Sequence, residues 1–96
     1  MHIEWFGHSC FRLRTASASV ICDPFAGQYG ALPTGLRADI VTVSHDHPGH
    51  SGSCAVVDDA TFLIAGPGEY EVRGVFVLGV RMSHDDRGGA VRGASI

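Results

Sequence analysis

Three histidines fall within six residues, at His45, His47 and His50, in a segment from Ser44 to Ser51 that reads SHDHPGHS. Imidazole nitrogen is a good neutral ligand for zinc and its neighbours. Side chains at i and i+2 of an extended chain project to the same side, so His45 and His47 can hold one ion together. Asp46, between them, is expected to point away. The Pro48-Gly49 pair has turn composition and brings His50 back over the same mouth, to bind the same ion, a second ion or neither. A bare His-x-His pair recurs by chance in polar turns. The third histidine and the apolar run in front of it favour a metal site.

The elements that must present this loop follow from the alternation and punctuation around it. Asp39 to Ser44 contains Ile40, Val41, Thr42 and Val43, a run suited to a strand buried on both faces that delivers the chain into the histidines. Upstream, His2 to Phe6, Cys10 to Arg14 and Ser19 to Cys22 read as three short strands opening a β-meander. Asp23-Pro24 ends the third, because proline cannot donate to a ladder. Phe25 to Leu36 holds three of the glycines and Pro33, a long loop of the kind that often carries function. Downstream a short helix is expected over Cys54 to Asp58, then strands over Thr61 to Ala65, Tyr70 to Arg73 and Val75 to Met82, with a Gly66-Pro67-Gly68 turn. The stretch from Asp86 onward has no periodicity. No repeat or linker divides the chain, so residues 1–96 read as one small domain or part of one.

Composition excludes several classes of function. With 45% hydrophobic and 18% charged residues the chain folds rather than remaining disordered. A formal net charge of -3, with seven scattered arginines and no lysine, provides no basic patch for nucleic acid. The N-terminal MHIEWFGHSC lacks the basic and apolar regions of a signal peptide, and no apolar run approaches a membrane span. Three cysteines, Cys10, Cys22 and Cys54, show no C-x-x-C spacing and read as small core residues in a reducing, cytoplasmic setting. Trp5, Phe6 and Phe11 read as core.

The loop, taken with Gly7-His8-Ser9 before an apolar strand, Val20 to Pro24 as a strand ending in Asp-Pro, the Asp39 to Ser44 lead-in and Gly66-Pro67-Gly68-Glu69, resembles the metallo-β-lactamase superfamily. Within it the chain is similar to the branch of ascorbate-phosphate-lactonase-like hydrolases. The family pattern is H-x-H-x-D-H, and His45, His47 and His50 match its three histidines. Gly49 stands where the pattern has aspartate. The resemblance implies an α/β (α+β layered) fold, the αββα sandwich, of which this chain would supply the N-terminal, mostly β half. Family members are about twice as long, so later ligands are expected to be missing and an apolar sheet face and strand edge to be left open to a second copy.

It also implies a divalent cofactor, zinc with manganese or iron as alternatives, in one or two ions, and a small-molecule ester, lactone or phosphodiester substrate attacked by metal-activated water. Gly49 argues for a one-metal site, an altered site, or a metal-binding or structural remnant without turnover. Three further residues have two readings each. His8 supports the metal site or satisfies a buried hydrogen bond, and Asp23 anchors the histidine loop or caps an Asp-Pro turn. His84, followed by two aspartates, reads as a solvated polar turn before it reads as a metal contact.

Overall fold

The structure, a computed structural model, describes residues 1–47, 49–50, 56–85 and 94–96. Three antiparallel strands open it: β1 (His2–Gly7), β2 (Cys10–Arg14) and β3 (Ser19–Cys22). β4 (Ile40–Thr42) and β5 (Phe62–Ile64) then add in parallel, giving a sheet of order β1-β2-β3-β4-β5. A hairpin of β6 (Gly68–Val72) and β7 (Val75–Gly79) follows, and β8 (Met82–Ser83) pairs with β9 (Ala94–Ser95). A single 3-10 turn at Gly27–Tyr29 interrupts the long loop.

The change from antiparallel to parallel pairing after β3 demands crossover connections, and these build one layer of the core. Phe25, Leu36 and Ala38 from the first crossover and Val56 from the second pack on one face of the sheet with Cys10, Ile21, Val41 and Val43. Two successive crossovers of one hand moving in one direction must lie on the same side. On the opposite face Val20, Ile40 and Ile64 are covered by Tyr70, Val72, Val75 and Val77 of the hairpin and by Ile96. Ile40 and Val41 are therefore both fully buried, in different layers, as expected for a strand sandwiched between two covers. The hairpin closes on Arg73 and Gly74, both with positive φ, the two-residue turn whose twist matches that of its strands.

Most strand expectations are met within a residue or two at the ends, and the layered, mostly β architecture agrees with the expected fold. Some details differ. The run from Val75 to Met82 is broken after Gly79, where the chain passes so close to Gly66 that an added Cβ would stand 3.1 Å from its carbonyl oxygen. The stretch after Asp86 contributes a strand, β9. The expected helix over Cys54 to Asp58 lies partly outside the described residues, and Val56 to Asp58 are turn and irregular chain. Trp5 is 65% exposed and Phe11 39%. They pair across β1 and β2, but the hairpin cover extends only as far as Leu13, so the edge of the sheet keeps its apolar side chains in solvent. Phe76 and Leu78 point outward from β7 in the same way.

Cys10 is fully buried, and burial pushes its thiol up to about 11, the behaviour of a packing residue rather than a nucleophile. Cys22 is half-buried, and Cys54 lies outside the described residues. Among the described residues no helix is long and apolar enough to cross a membrane.

Candidate metal centre

The parallel pairing of β3 with β4 brings Asp23 and Ser44 together at the carboxyl ends of the two strands, where open α/β sheets place their sites. Asp23 has φ of 46°, a left-handed conformation that aspartate tolerates better than most residues. Its N–H donates to the Thr42 carbonyl at 2.8 Å, and its side chain turns across onto the end of β4. Oδ1 accepts the Ser44 N–H at 2.7 Å, and Oδ2 accepts the Ser44 hydroxyl at 2.7 Å and His50 Nδ1 at 2.9 Å. The carboxylate is thus used three times on one loop, with the side chain only 13% exposed. Asp23 is an anchor of the histidine loop, whatever else it caps.

This network determines which ring nitrogens carry protons. An ionised carboxylate only accepts, so His50 donates from Nδ1 and its lone pair lies on Nε2. The Ser44 hydroxyl has given its one proton to Asp23, so its oxygen accepts from His45 Nδ1 at 2.9 Å, and the His45 lone pair also lies on Nε2. His47 is the reverse. Its Nδ1 accepts the Gly49 N–H at 3.0 Å, which places the proton of the neutral ring on Nε2. Burial, then the neighbouring His50 and His84, lowers the His45 pKa below the usual histidine value, favouring the neutral ring that a metal requires.

His84 lies beside this group while remaining an exposed bend, as its reading as a solvated turn expects. It follows β8, which β9 holds in place. β9 is in turn tied to the loop: the Ile96 N–H at 2.9 Å and the Ser95 hydroxyl at 3.1 Å both donate to the Ser44 carbonyl. The His45 ring centre lies 4.3 Å from His50, 4.3 Å from His84 and 6.0 Å from His47, and His47 lies 5.8 Å from His50. Together with Asp46 these rings line an open cavity of about 500 Å³. Asp46 therefore borders the cavity instead of turning fully away from it. His8 does not reach it. Its Nε2 donates to the Tyr29 carbonyl at 2.7 Å and its ring packs edge-on against Phe25 and Tyr29, so it touches the site only through Tyr29, whose ring centre is 5.9 Å from that of His47.

Imidazoles around one tetrahedral ion stand roughly 5 Å apart, centre to centre, given metal–nitrogen bonds of about 2.0 Å. The observed separations bracket that value, and two of the rings have Nδ1 pinned and Nε2 unprotonated, the arrangement typical of metal-binding histidine. The donor set fits a divalent ion. Among the described residues no three His, Cys, Asp or Glu side chains are already convergent, so loading requires ring rotation, which His84 and His47 have the exposure to make.

Comparison with known proteins identifies the family. The family described as "Beta-lactamase superfamily domain" matches residues 2–96. A UPF0173 metal-dependent hydrolase of Methanoculleus marisnigri is 36% identical over 64 residues, covering 67% of this chain and 27% of that protein. One from Nitratidesulfovibrio vulgaris is 32% identical over 94 residues, covering 76% of this chain and 38% of that protein. A crystal structure from Thermotoga maritima, described as a candidate Zn-dependent hydrolase of the metallo-β-lactamase superfamily, superposes with a TM-score of 0.70 at 36% identity, covering 98% of this chain and 40% of its own. The chain thus spans well under half the length of these relatives. It belongs to the metallo-β-lactamase superfamily, corresponding to the N-terminal part of its fold.

Proposed function

We propose that this chain contributes the metal-binding loop of a divalent-metal-dependent hydrolase acting on a small-molecule ester, lactone or phosphodiester, with zinc the preferred ion and manganese or iron as alternatives. The carrying observation is the Asp23 and Ser44 network, which turns the lone pairs of two adjacent imidazoles, His45 and His50, to Nε2. The ion would be held by imidazoles of the group His45, His47, His50 and His84. When bound, it would lower the pKa of a coordinated water toward neutrality and polarise the substrate carbonyl or phosphoryl group. Asp23 and Ser44 orient the rings, and Asp46 borders the cavity. The cysteine pattern favours a cytoplasmic setting.

The test is the metal content of purified protein by mass spectrometry, with His45→Ala as control, alongside hydrolysis of a chromogenic phosphodiester and a lactone. Zinc in near-stoichiometric amount, lost in His45→Ala, is the expected result. No divalent ion above the level of the variant would sink the reading. A second reading, metal binding without turnover, is favoured by Gly49 and would show as bound ion with no hydrolysis.

Self-association is proposed as well. Phe76 and Leu78 on the outer face of the hairpin and Ile3 and Trp5 on the edge strand are all at least 60% exposed, more apolar surface than a solitary small domain usually leaves in water. Sedimentation should give a mass that rises with concentration above 10.1 kDa, and a Phe76→Ser, Leu78→Ser variant should return it to monomer. A concentration-independent monomer mass in the unsubstituted chain would exclude association.

A further inference from the structure

We infer that two copies of this chain interlock, each laying its β6–β7 hairpin on the uncovered β1–β2 floor of the other. The inference rests on the self-association reading above and deepens it by naming how the copies fit. Strand register places the floor. Residues opposite each other in antiparallel strands share a face, as do alternate residues of one strand. Ile3 pairs with Leu13, Trp5 with Phe11 and Leu13 with Val20, so Ile3, Trp5 and Phe11 lie on the same face as the Val20, Ile40 and Ile64 layer. The hairpin covers that layer and stops short of β1. Tyr70 of β6 packs on Phe62 of β5, ring centres 6.0 Å apart. This puts β7 on the side toward β2, where it walls an open cavity of about 520 Å³ with Leu13, Val20 and Cys22. The face therefore has a step, with β1 and β2 low and the hairpin raised one layer above β3 to β5.

Such a step is complementary to its own copy. A two-fold rotation about a line running alongside β7 sets the raised hairpin of each copy over the low floor of the other, an isologous contact. Phe76 and Leu78 point away from their own sheet and then meet Ile3, Trp5 and Phe11 of the other copy, at the separation of about 10 Å usual for packed sheets. Glu69 and Glu71, cross-strand from Leu78 and Phe76, belong to β6, farther from the floor, and stay at the wet rim. Area selects this arrangement. Phe11 is 39% exposed, and Ile3, Trp5, Phe76 and Leu78 are 62%, 65%, 64% and 60% exposed. Large apolar side chains present roughly 150–250 Å² each, so the five contribute roughly 600 Å² per copy and about 1,200 Å² per pair, enough for a specific interface. Hairpin on hairpin, or floor on floor, would bury only about half of that, less than the roughly 1,000 Å² such an interface needs.

Trp5 is the single tryptophan of the sequence and reports on the fit directly. As sedimentation shows the mass doubling, its emission should move to shorter wavelength and its quenching by acrylamide should fall by about threefold, because the core of an interface excludes water. Both changes should vanish in the Phe76→Ser, Leu78→Ser variant, with the far-UV spectrum unchanged. p-Benzoylphenylalanine placed at position 76 should photo-crosslink to the Ile3 to Leu13 segment of an isotopically labelled second chain. A dimer that leaves Trp5 as open to quencher as the monomer does, or that crosslinks from position 76 to the other hairpin, would overturn the inference while leaving self-association in place. Monomer mass at every concentration would remove both. A Trp5 already shielded in the monomer would mean that the face is covered within one chain, and overturns the inference as well.

Discussion

Replacing Asp23 with asparagine is expected to cut Zn²⁺ affinity by about 10- to 100-fold while lowering stability far less than replacement with alanine. Asparagine keeps the size of the side chain and one acceptor oxygen, which can still receive the Ser44 N–H. It substitutes a donor NH₂ where Oδ2 now accepts both the Ser44 hydroxyl and His50 Nδ1. Facing a donor, His50 must accept at Nδ1 and carry its proton on Nε2, and a ring in that tautomer has no lone pair for the ion. The Ser44 hydroxyl, no longer bound to donate to Asp23, also loses its hold on the His45 tautomer. Alanine removes every partner at once and leaves a part-buried backbone N–H and hydroxyl unsatisfied, at a cost of about 2–4 kcal/mol. Urea unfolding and Zn²⁺ titration of both variants separate the two effects. Asparagine binding zinc as tightly as the unsubstituted chain would show that Asp23 only braces the loop.

The strands and the loop were legible because both are local. Alternation in β2, the β-branched run of β4 and the tight grouping of His45, His47 and His50 are all contained in a few residues. Asp23 was half legible: Asp-Pro marks the end of a strand, but only the parallel pairing of β3 with β4 shows that its carboxylate lands on Ser44, 21 residues away. His84 was half legible for the same reason: it is the exposed bend expected, and only the fold sets its ring beside His45. Its neighbours Asp85 and Asp86 make it look solvated, and the contacts that deliver it run from β9 back to the Ser44 carbonyl. Nothing near His84 in the sequence encodes a bond made 51 residues apart by Ser95 and Ser44. Trp5 and Phe11 failed in the opposite sense. Their residue types argue for burial, but burial needs a covering layer, and the β6–β7 hairpin covers the β3 to β5 part of the sheet without reaching the edge strand.

These long-range bonds also explain how this part of the fold positions the histidine loop. Ser44 is tied on every side: its N–H and hydroxyl to Asp23, its oxygen to His45, its carbonyl to Ser95 and Ile96. The residue directly before the first histidine is held by two separate segments of chain, at Asp23 and at β9, so the rings inherit a fixed origin even though they themselves are partly exposed. Removing one tie should alter ring orientation before it alters the fold, which makes position 49, in the loop but outside this knot, the most informative place to perturb the cluster.

Gly49→Asp is expected to raise the number of zinc ions bound from one to two per chain, whereas Gly49→Ala leaves it at one. The backbone permits both, because Gly49 does not lie in the left-handed region reserved for glycine. Either side chain meets the His47 ring, with Cβ 3.1 Å from Nδ1, and His47 is exposed enough to swing away. The crowding costs about 1 kcal/mol, read as a small drop in the urea midpoint. Swinging breaks the bond from the residue-49 N–H and frees His47 to exchange tautomers and ligate. Only aspartate then adds a carboxylate within reach of the imidazoles, supplying the hard oxygen donor that a second ion needs beside neutral rings. Calorimetric stoichiometry and mass-spectrometric metal content, each measured on both variants, decide between them. If aspartate and alanine bind the same single ion with the same affinity, the carboxylate is not used, and the difference between this loop and the H-x-H-x-D-H pattern is not what sets the ion count. If aspartate alone gains the second ion and with it phosphodiester hydrolysis, the missing side chain at position 49 is the step at which the catalytic site of the superfamily was reduced to the one seen here.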